Sequence, residues 1–145
     1  LPTYYATFVS FFITIETIKK IGFPIKEFFI WGDDVEYSTR IAKQNDCYIV
    51  LKSVVKHETL LNTGSSIEKD SKERISRYYY AYRNEMYIAK RDGIKGLIYQ
   101  IIKIIYHLFK ILFFSKNNRM KKIYILFKGT IKGIFFNPKV KYLEK

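Results

Sequence analysis

The hydrophobic and polar positions change period along the chain, and the change divides it. Residues 4–15 are dense in aromatic and β-branched side chains, which predicts a strand running into a short helix around Glu16 to Lys20. Gly22 is placed as that helix's end, and Pro24 prevents its resumption. Residues 26–31, with the apolar run Phe28 to Trp31, predict a second strand that delivers the chain to Asp33, Asp34 and Glu36. From Asp34 to Asn45 the spacing of Val35, Tyr37 or Ser38, Ile41 and Ala42 predicts a helix. Tyr48, Val50, Val54 and Val55 mark residues 47–56 as a third strand, ending at His57. A polar segment, 62–73, reads as a mobile loop, and residues 74–91 have helical character.

Two clear helical periods follow. On a wheel of 100° per residue over 94–114, Lys95, Lys103 and Lys110 fall within about 80°, with Tyr99, Gln100, Tyr106 and His107 beside them. Leu97, Ile101, Ile104, Ile105, Leu108 and Leu112 take the opposite side. Residues 119–136 repeat the design, with Lys121, Lys128 and Lys132 set against Ile123, Phe127, Ile131 and Ile134. The first stretch approaches the ~20 residues that span a bilayer, but its three lysines argue against spanning. Aromatic-aliphatic faces with lysine stripes suit a helix pair lying on an anionic membrane surface. The plainer reading is a helical pair packed on its own domain, with its lysines solvated.

Trp31-Gly32-Asp33-Asp34-Val35-Glu36 holds the densest candidate chemistry. Three carboxylates at the mouth of an apolar segment are costly to bury without charge, hydrogen bonds or a metal to compensate. Such a cluster suits a pocket with a carboxylate poised as base or ligand. Equally, Asp33 and Glu36 fit a capping box, with acids near a helix N-terminus complementing its dipole. Capping leaves Asp34 free, and the two readings are compatible.

At 145 residues the chain has the size of one domain. It starts at Leu1 on an aromatic run, which suggests a fragment of a longer protein. The single cysteine, Cys47, rules out an intramolecular disulfide and fits a reducing compartment. The net charge of +13 is unevenly spread. Residues 1–92 hold 14 Lys+Arg against 12 Asp+Glu, whereas 93–145 hold 12 against the single acid Glu144. That asymmetry divides the chain into a near-neutral part, 1–92, and a basic amphipathic tail, 93–145. It also argues against a uniformly basic nucleic-acid domain.

The ordered set of an aromatic strand, Gly22-Phe23-Pro24, Trp31-Gly32-Asp33-Asp34-Val35-Glu36-Tyr37-Ser38-Thr39-Arg40, a strand ending in His57 and Tyr79-Tyr80-Ala81-Tyr82-Arg83-Asn84 resembles the acceptor side of family 2 glycosyltransferases. The similarity is to rhamnosyl- and galactofuranosyltransferase-like members and covers roughly residues 6–91. It implies an α/β fold, the C-terminal part of a GT-A (Rossmann-like) domain, followed by amphipathic helices. It implies inverting transfer from a nucleotide-sugar donor to a saccharide or lipid-linked acceptor, in cell-surface polysaccharide synthesis at the cytoplasmic face of the cell membrane. Asp34 takes the general-base position, since a hydroxyl attacks well only as a placed base removes its proton. Asp33 and Glu36 would orient Asp34 and bind acceptor hydroxyls, and Trp31 would offer a flat face to a sugar ring. His57 matches the histidine that helps hold a divalent cation, Mn²⁺ or Mg²⁺, on the donor diphosphate. Arg83 and Asn84 match a pair often present there, although a structural role on a helix face serves them as well. The family's donor half and its Asp-x-Asp motif are absent, so the chain by itself is expected to be inactive. Two readings stand against this one: a non-catalytic membrane-associated basic protein, and nucleic-acid binding, which the aromatics on apolar helix faces weaken.

Overall fold

The computed structural model describes residues 1–58 and 64–143. It forms two compact units, one of Leu1–Asn62 with Pro138–Lys145 and one of Thr63–Asn137. The element order is α1 (Ile15–Ile21), a 3₁₀ turn at Lys26–Phe28, α2 (Asp33–Ala42), α3 (Lys72–Ile75), α4 (Tyr78–Arg91), α5 (Gly93–Phe114) and α6 (Arg119–Phe135).

The described residues contain no strand, which overturns the expected α/β, GT-A (Rossmann-like) fold. Of residues 47–56, only the edge nearest the chain's start pairs at all. Pro2 and Tyr48 form one antiparallel bridge, flanked by Thr3 N–H to the Cys47 carbonyl (3.0 Å) and Ile49 N–H to the Leu1 carbonyl (2.7 Å). Beyond it Val50, Leu51, Val54 and Val55 stand exposed. A pair of strands is marginal in water without a third strand or a helix over one face. β-Branched composition therefore found no sheet to join. Residues 4–13 are irregular, and 26–31 coil into the 3₁₀ turn and bends.

The first unit is built around α2. Ile21, Tyr37 and Ile41 form its core, with Phe11, Ile13 and Cys47 packed against them. Phe8, Phe11 and Tyr37 make a ring cluster with centroids 5.5–6.2 Å apart. Thr14 caps α1 by accepting from Thr17 N–H at 3.2 Å, and Gly22 ends it at φ 83°. A side chain at Gly22 would collide with Val140 and the Lys141 carbonyl, the latter already accepting from Phe23 N–H at 2.8 Å.

The second unit is a helical bundle held by a close approach and a buried polar line. Gly129 and Gly133 of α6 lie against the α4 backbone. A Cβ at 133 would sit 2.6 Å from Met86 Cβ and 2.7 Å from the Arg83 carbonyl. The polar line starts in the segment expected to be a mobile loop. Its residues 64–71 instead bury Ile67 and Glu68, while Asn62 and Thr63 lie outside the described residues. Glu68 pairs with Lys110 of α5 at 2.8 Å and accepts from Ser66 at 2.6 Å. Lys122 of α6, 2% exposed, donates to the Glu68 carbonyl (2.8 Å) and to Ser115 Oγ (2.9 Å). Burial raises the Glu68 carboxyl, but the hydrogen bonds from Lys110 and Ser66 outweigh it and hold it down at about 2.

Two outcomes follow. Gly133→Ala forces α4 and α6 apart and lowers unfolding stability by roughly 1–3 kcal/mol, measured in urea. Because the Glu68 carboxyl is depressed on folding, its stabilisation is present above the ordinary value of 4.5 and fades as pH falls toward 2. A pH series of unfolding midpoints therefore shows a steeper acid fall in the unsubstituted protein than in Glu68→Gln.

Candidate functional site

The approach to the acidic turn is backbone-strained. Phe29 adopts φ 63° and ψ −53°, closed by Ile30 N–H to the Phe28 carbonyl at 2.7 Å, a γ-turn of the rare positive-φ kind. Trp31 follows at φ 62° and Gly32 at φ 85°. Two non-glycine residues in this region cost on the order of 1–3 kcal/mol each, and such strain concentrates at functional sites.

From this bend α2 starts. Its N-cap is Gly32 and no side chain caps it, so the expected Asp33–Glu36 capping box does not form. Glu36 is turned the other way. It is 6% exposed and receives Arg40 Nε at 2.9 Å and a second guanidinium nitrogen at 3.0 Å. Arg40 also donates to the Ile21 carbonyl (2.5 Å) and the Phe23 carbonyl (3.0 Å), and lies over the Tyr37 ring. Glu36 is thus an internal counter-ion, in a place where an acceptor hydroxyl would have to displace arginine.

Tyr37 and Ser38 complete the mounting. Tyr37 donates its hydroxyl to the Gly22 carbonyl at 3.0 Å, and Ser38 Oγ accepts from Ala6 N–H at 3.0 Å. Tyr37, Ser38 and Arg40, all within about one turn, thereby fix the helix to 6–23. At the start of the helix, Trp31, Asp33 and Asp34 are half-buried. Asp34 Oδ1 accepts from Val35 N–H at 2.8 Å, which orients the carboxylate on the helix's first turn. The structure therefore keeps Trp31, Asp33 and Asp34 within one short bend and assigns Glu36 to the scaffold.

The remaining sequence candidates are elsewhere. His57 is exposed at the end of an irregular segment, between Lys56 and Glu58, which pair with one another. Among the described residues no three His, Cys, Asp or Glu side chains converge as a cation site. Arg83 and Asn84 belong to the second unit and serve structure. Asn84 is fully buried and accepts from Arg83 at 2.9–3.0 Å, while the guanidinium lies 4.0 Å from the Phe136 ring centroid.

The sequence displays the polar side of α5 but not its direction: Lys103, His107 and Lys110 turn inward to partners in the unit. His107 meets the Tyr82 hydroxyl at 3.0 Å, and Lys103 pairs with Glu85 at 2.8 Å. Burial, with Lys103 nearby, lowers the His107 imidazole below its ordinary value and keeps it neutral. The available signal was the spacing of Gln100, Lys103, His107 and Lys110 opposite acids in 68–85.

No protein-family model, characterised protein or solved structure matches the chain. With no match and, among the described residues, no sheet, the resemblance to family 2 glycosyltransferases is overturned: the motif residues are present, but the described residues hold none of the strands that carry them in that family.

Arg40→Ala leaves Glu36 buried without its partner and frees two carbonyls, lowering stability by about 3–5 kcal/mol in urea unfolding. Arg40→Lys recovers little of this, because an ammonium cannot reproduce the fork.

Proposed function

We propose that this chain takes part in sugar transfer at a membrane face, with Asp34 as the base that accepts the proton of an acceptor hydroxyl. In that step the hydroxyl oxygen of a saccharide or lipid-linked acceptor bonds to the anomeric carbon of a nucleotide-sugar donor. The bond from that carbon to the diphosphate breaks, the nucleoside diphosphate leaves with its electron pair, and the configuration inverts. The observation that carries the reading is the division within the acidic turn. Glu36 is committed to Arg40, whereas Asp34 is half-buried, oriented and mounted on a fixed helix beside Trp31. Paired carboxylates beside an indole suit a sugar, whose hydroxyls donate to the acids while its apolar C–H face lies on the ring.

The reading rests on that chemistry and not on a family. It assigns residues to the acceptor only. A divalent cation, Mn²⁺ or Mg²⁺, would neutralise the departing diphosphate, with His57 as the candidate ligand on this chain. The cytoplasmic face of the cell membrane, and an acceptor of cell-surface polysaccharide synthesis, fit a nucleotide-sugar donor and the exposed apolar residues of α5 and α6.

Those same apolar residues favour a second reading, a membrane-associated protein without catalysis. One assay separates the two. Membranes of the source cell, carrying the full gene product, are supplied with radiolabelled nucleotide-hexoses, and incorporation into lipid-extractable or polymeric product is counted. Asp34→Asn should lower incorporation by roughly 10²–10⁴-fold with the protein still on the membrane. Trp31→Ala should weaken use of dilute acceptor more than the maximal rate. Equal incorporation by Asp34→Asn overturns the transfer reading and leaves the second.

A further inference from the structure

The direction in which α5 faces is opposite to that of a helix on the surface of a water-soluble bundle. Its polar residues point into the unit. Gln100 is 3% exposed and donates to Glu85, Lys103 pairs with Glu85, His107 meets Tyr82, and Lys110 pairs with Glu68. Many of its apolar residues point out, although Ile111 is buried. Ile98, Ile102, Ile105, Phe109 and Phe113 are each at least half exposed, at 50–67%. Only 11% of the helix's most apolar 18-residue window is buried inside the protein. Lys95, near the start, is the one charge on the outward arc of Gly93–Phe114.

We infer that the outward face of α5 is immersed in the acyl boundary of a lipid bilayer, with the helix lying in the membrane plane. This rests on the membrane location proposed above and specifies its mode: attachment by hydrocarbon, with the lysines secondary. At 22 residues α5 is ~33 Å long, enough to cross a bilayer by length alone. What argues for the plane is α6, which packs chiefly on α4 and also touches α5, and which exposes Met120, Tyr124, Phe127 and Ile131 interleaved with exposed Lys121, Lys128 and Lys132. Three cations on a lipid-facing helix would not enter the core, but they sit well among headgroups.

Charge selects lipid over a second copy of the chain as the occupant. Lys95, Lys116, Arg119, Lys121, Lys128 and Lys132 are exposed on or beside the two faces, and residues 93–143 contain no acid. Two such faces repel one another, whereas anionic headgroups match them. The lysines that would oppose immersion, Lys103 and Lys110, are already satisfied by Glu85 and Glu68.

The test is vesicle flotation of the full chain with pure phosphatidylcholine and with phosphatidylcholine containing phosphatidylglycerol, at 0.15 M and 1 M NaCl. Immersion predicts binding to both, persisting at 1 M. Ile102→Gln with Ile105→Gln should weaken partitioning by roughly tenfold or more, with thermal melting in lipid-free buffer unchanged because both positions are exposed. Phe109→Trp in a Trp31→Phe background should be quenched by lipids brominated along the acyl chain. Binding that needs phosphatidylglycerol and is released by 1 M salt, or an unquenched reporter, overturns the immersion while leaving a membrane location. Absence of binding to either vesicle overturns both.

Discussion

Two acidic side chains, Glu68 and Glu85, set the orientation of α5, and much of the second unit follows from that choice. Each offers a carboxylate on the inner side of the bundle, and α5 turns its lysines to them. A lysine pulled into a protein interior is costly unless its charge is met. Here the acids and the Ser66 hydroxyl meet it, and Lys122 adds a third ammonium supported by a carbonyl and a serine. Once the polar side is spoken for, Ile98, Ile102 and Phe109 have nowhere to go but outward. The contact of Gly129 and Gly133 with α4 then fixes the remaining spacing.

In the first unit the comparable part is played by Arg40. Its guanidinium joins Glu36, two carbonyls from 21–23 and the face of Tyr37. A single planar cation thereby ties α2 to the end of α1. The strain at Phe29 and Trp31 is sustained because α2, thus anchored, holds the far end of the bend. Rigid support behind a half-buried Asp34 is the arrangement that acid–base chemistry needs, since a base that wanders loses its advantage.

The helices were legible because their signals are local. The Gly22 stop of α1, the spacing of Val35, Tyr37 and Ile41, and the long periods of α5 and α6 all act within a few turns. The strands were not, because a strand is a statement about a partner. Val50, Val54 and Val55 have the composition of a sheet, and pairing reaches only Tyr48 and its neighbours. At the acidic turn the expected capping box does not form. Glu36 looks like a helix cap until Arg40, one turn on, is seen to take it. The lysine stripe of α5 was visible, yet its direction depended on acids far away in sequence, which no wheel displays.

The first unit is discontinuous: Phe23 and Gly22 pack on Val140 and Lys141, which are synthesised only after the whole second unit. A ribosome therefore releases α4, α5 and α6 in one uninterrupted run, able to associate through contacts close in sequence. Residues 1–58 must wait for the chain's return before Gly22 and Phe23 meet Val140 and Lys141. The order of synthesis thus gives the helical bundle a head start. Residues 138–143 act as a late clasp, and any stall or truncation before them leaves the acidic turn on an unfinished support.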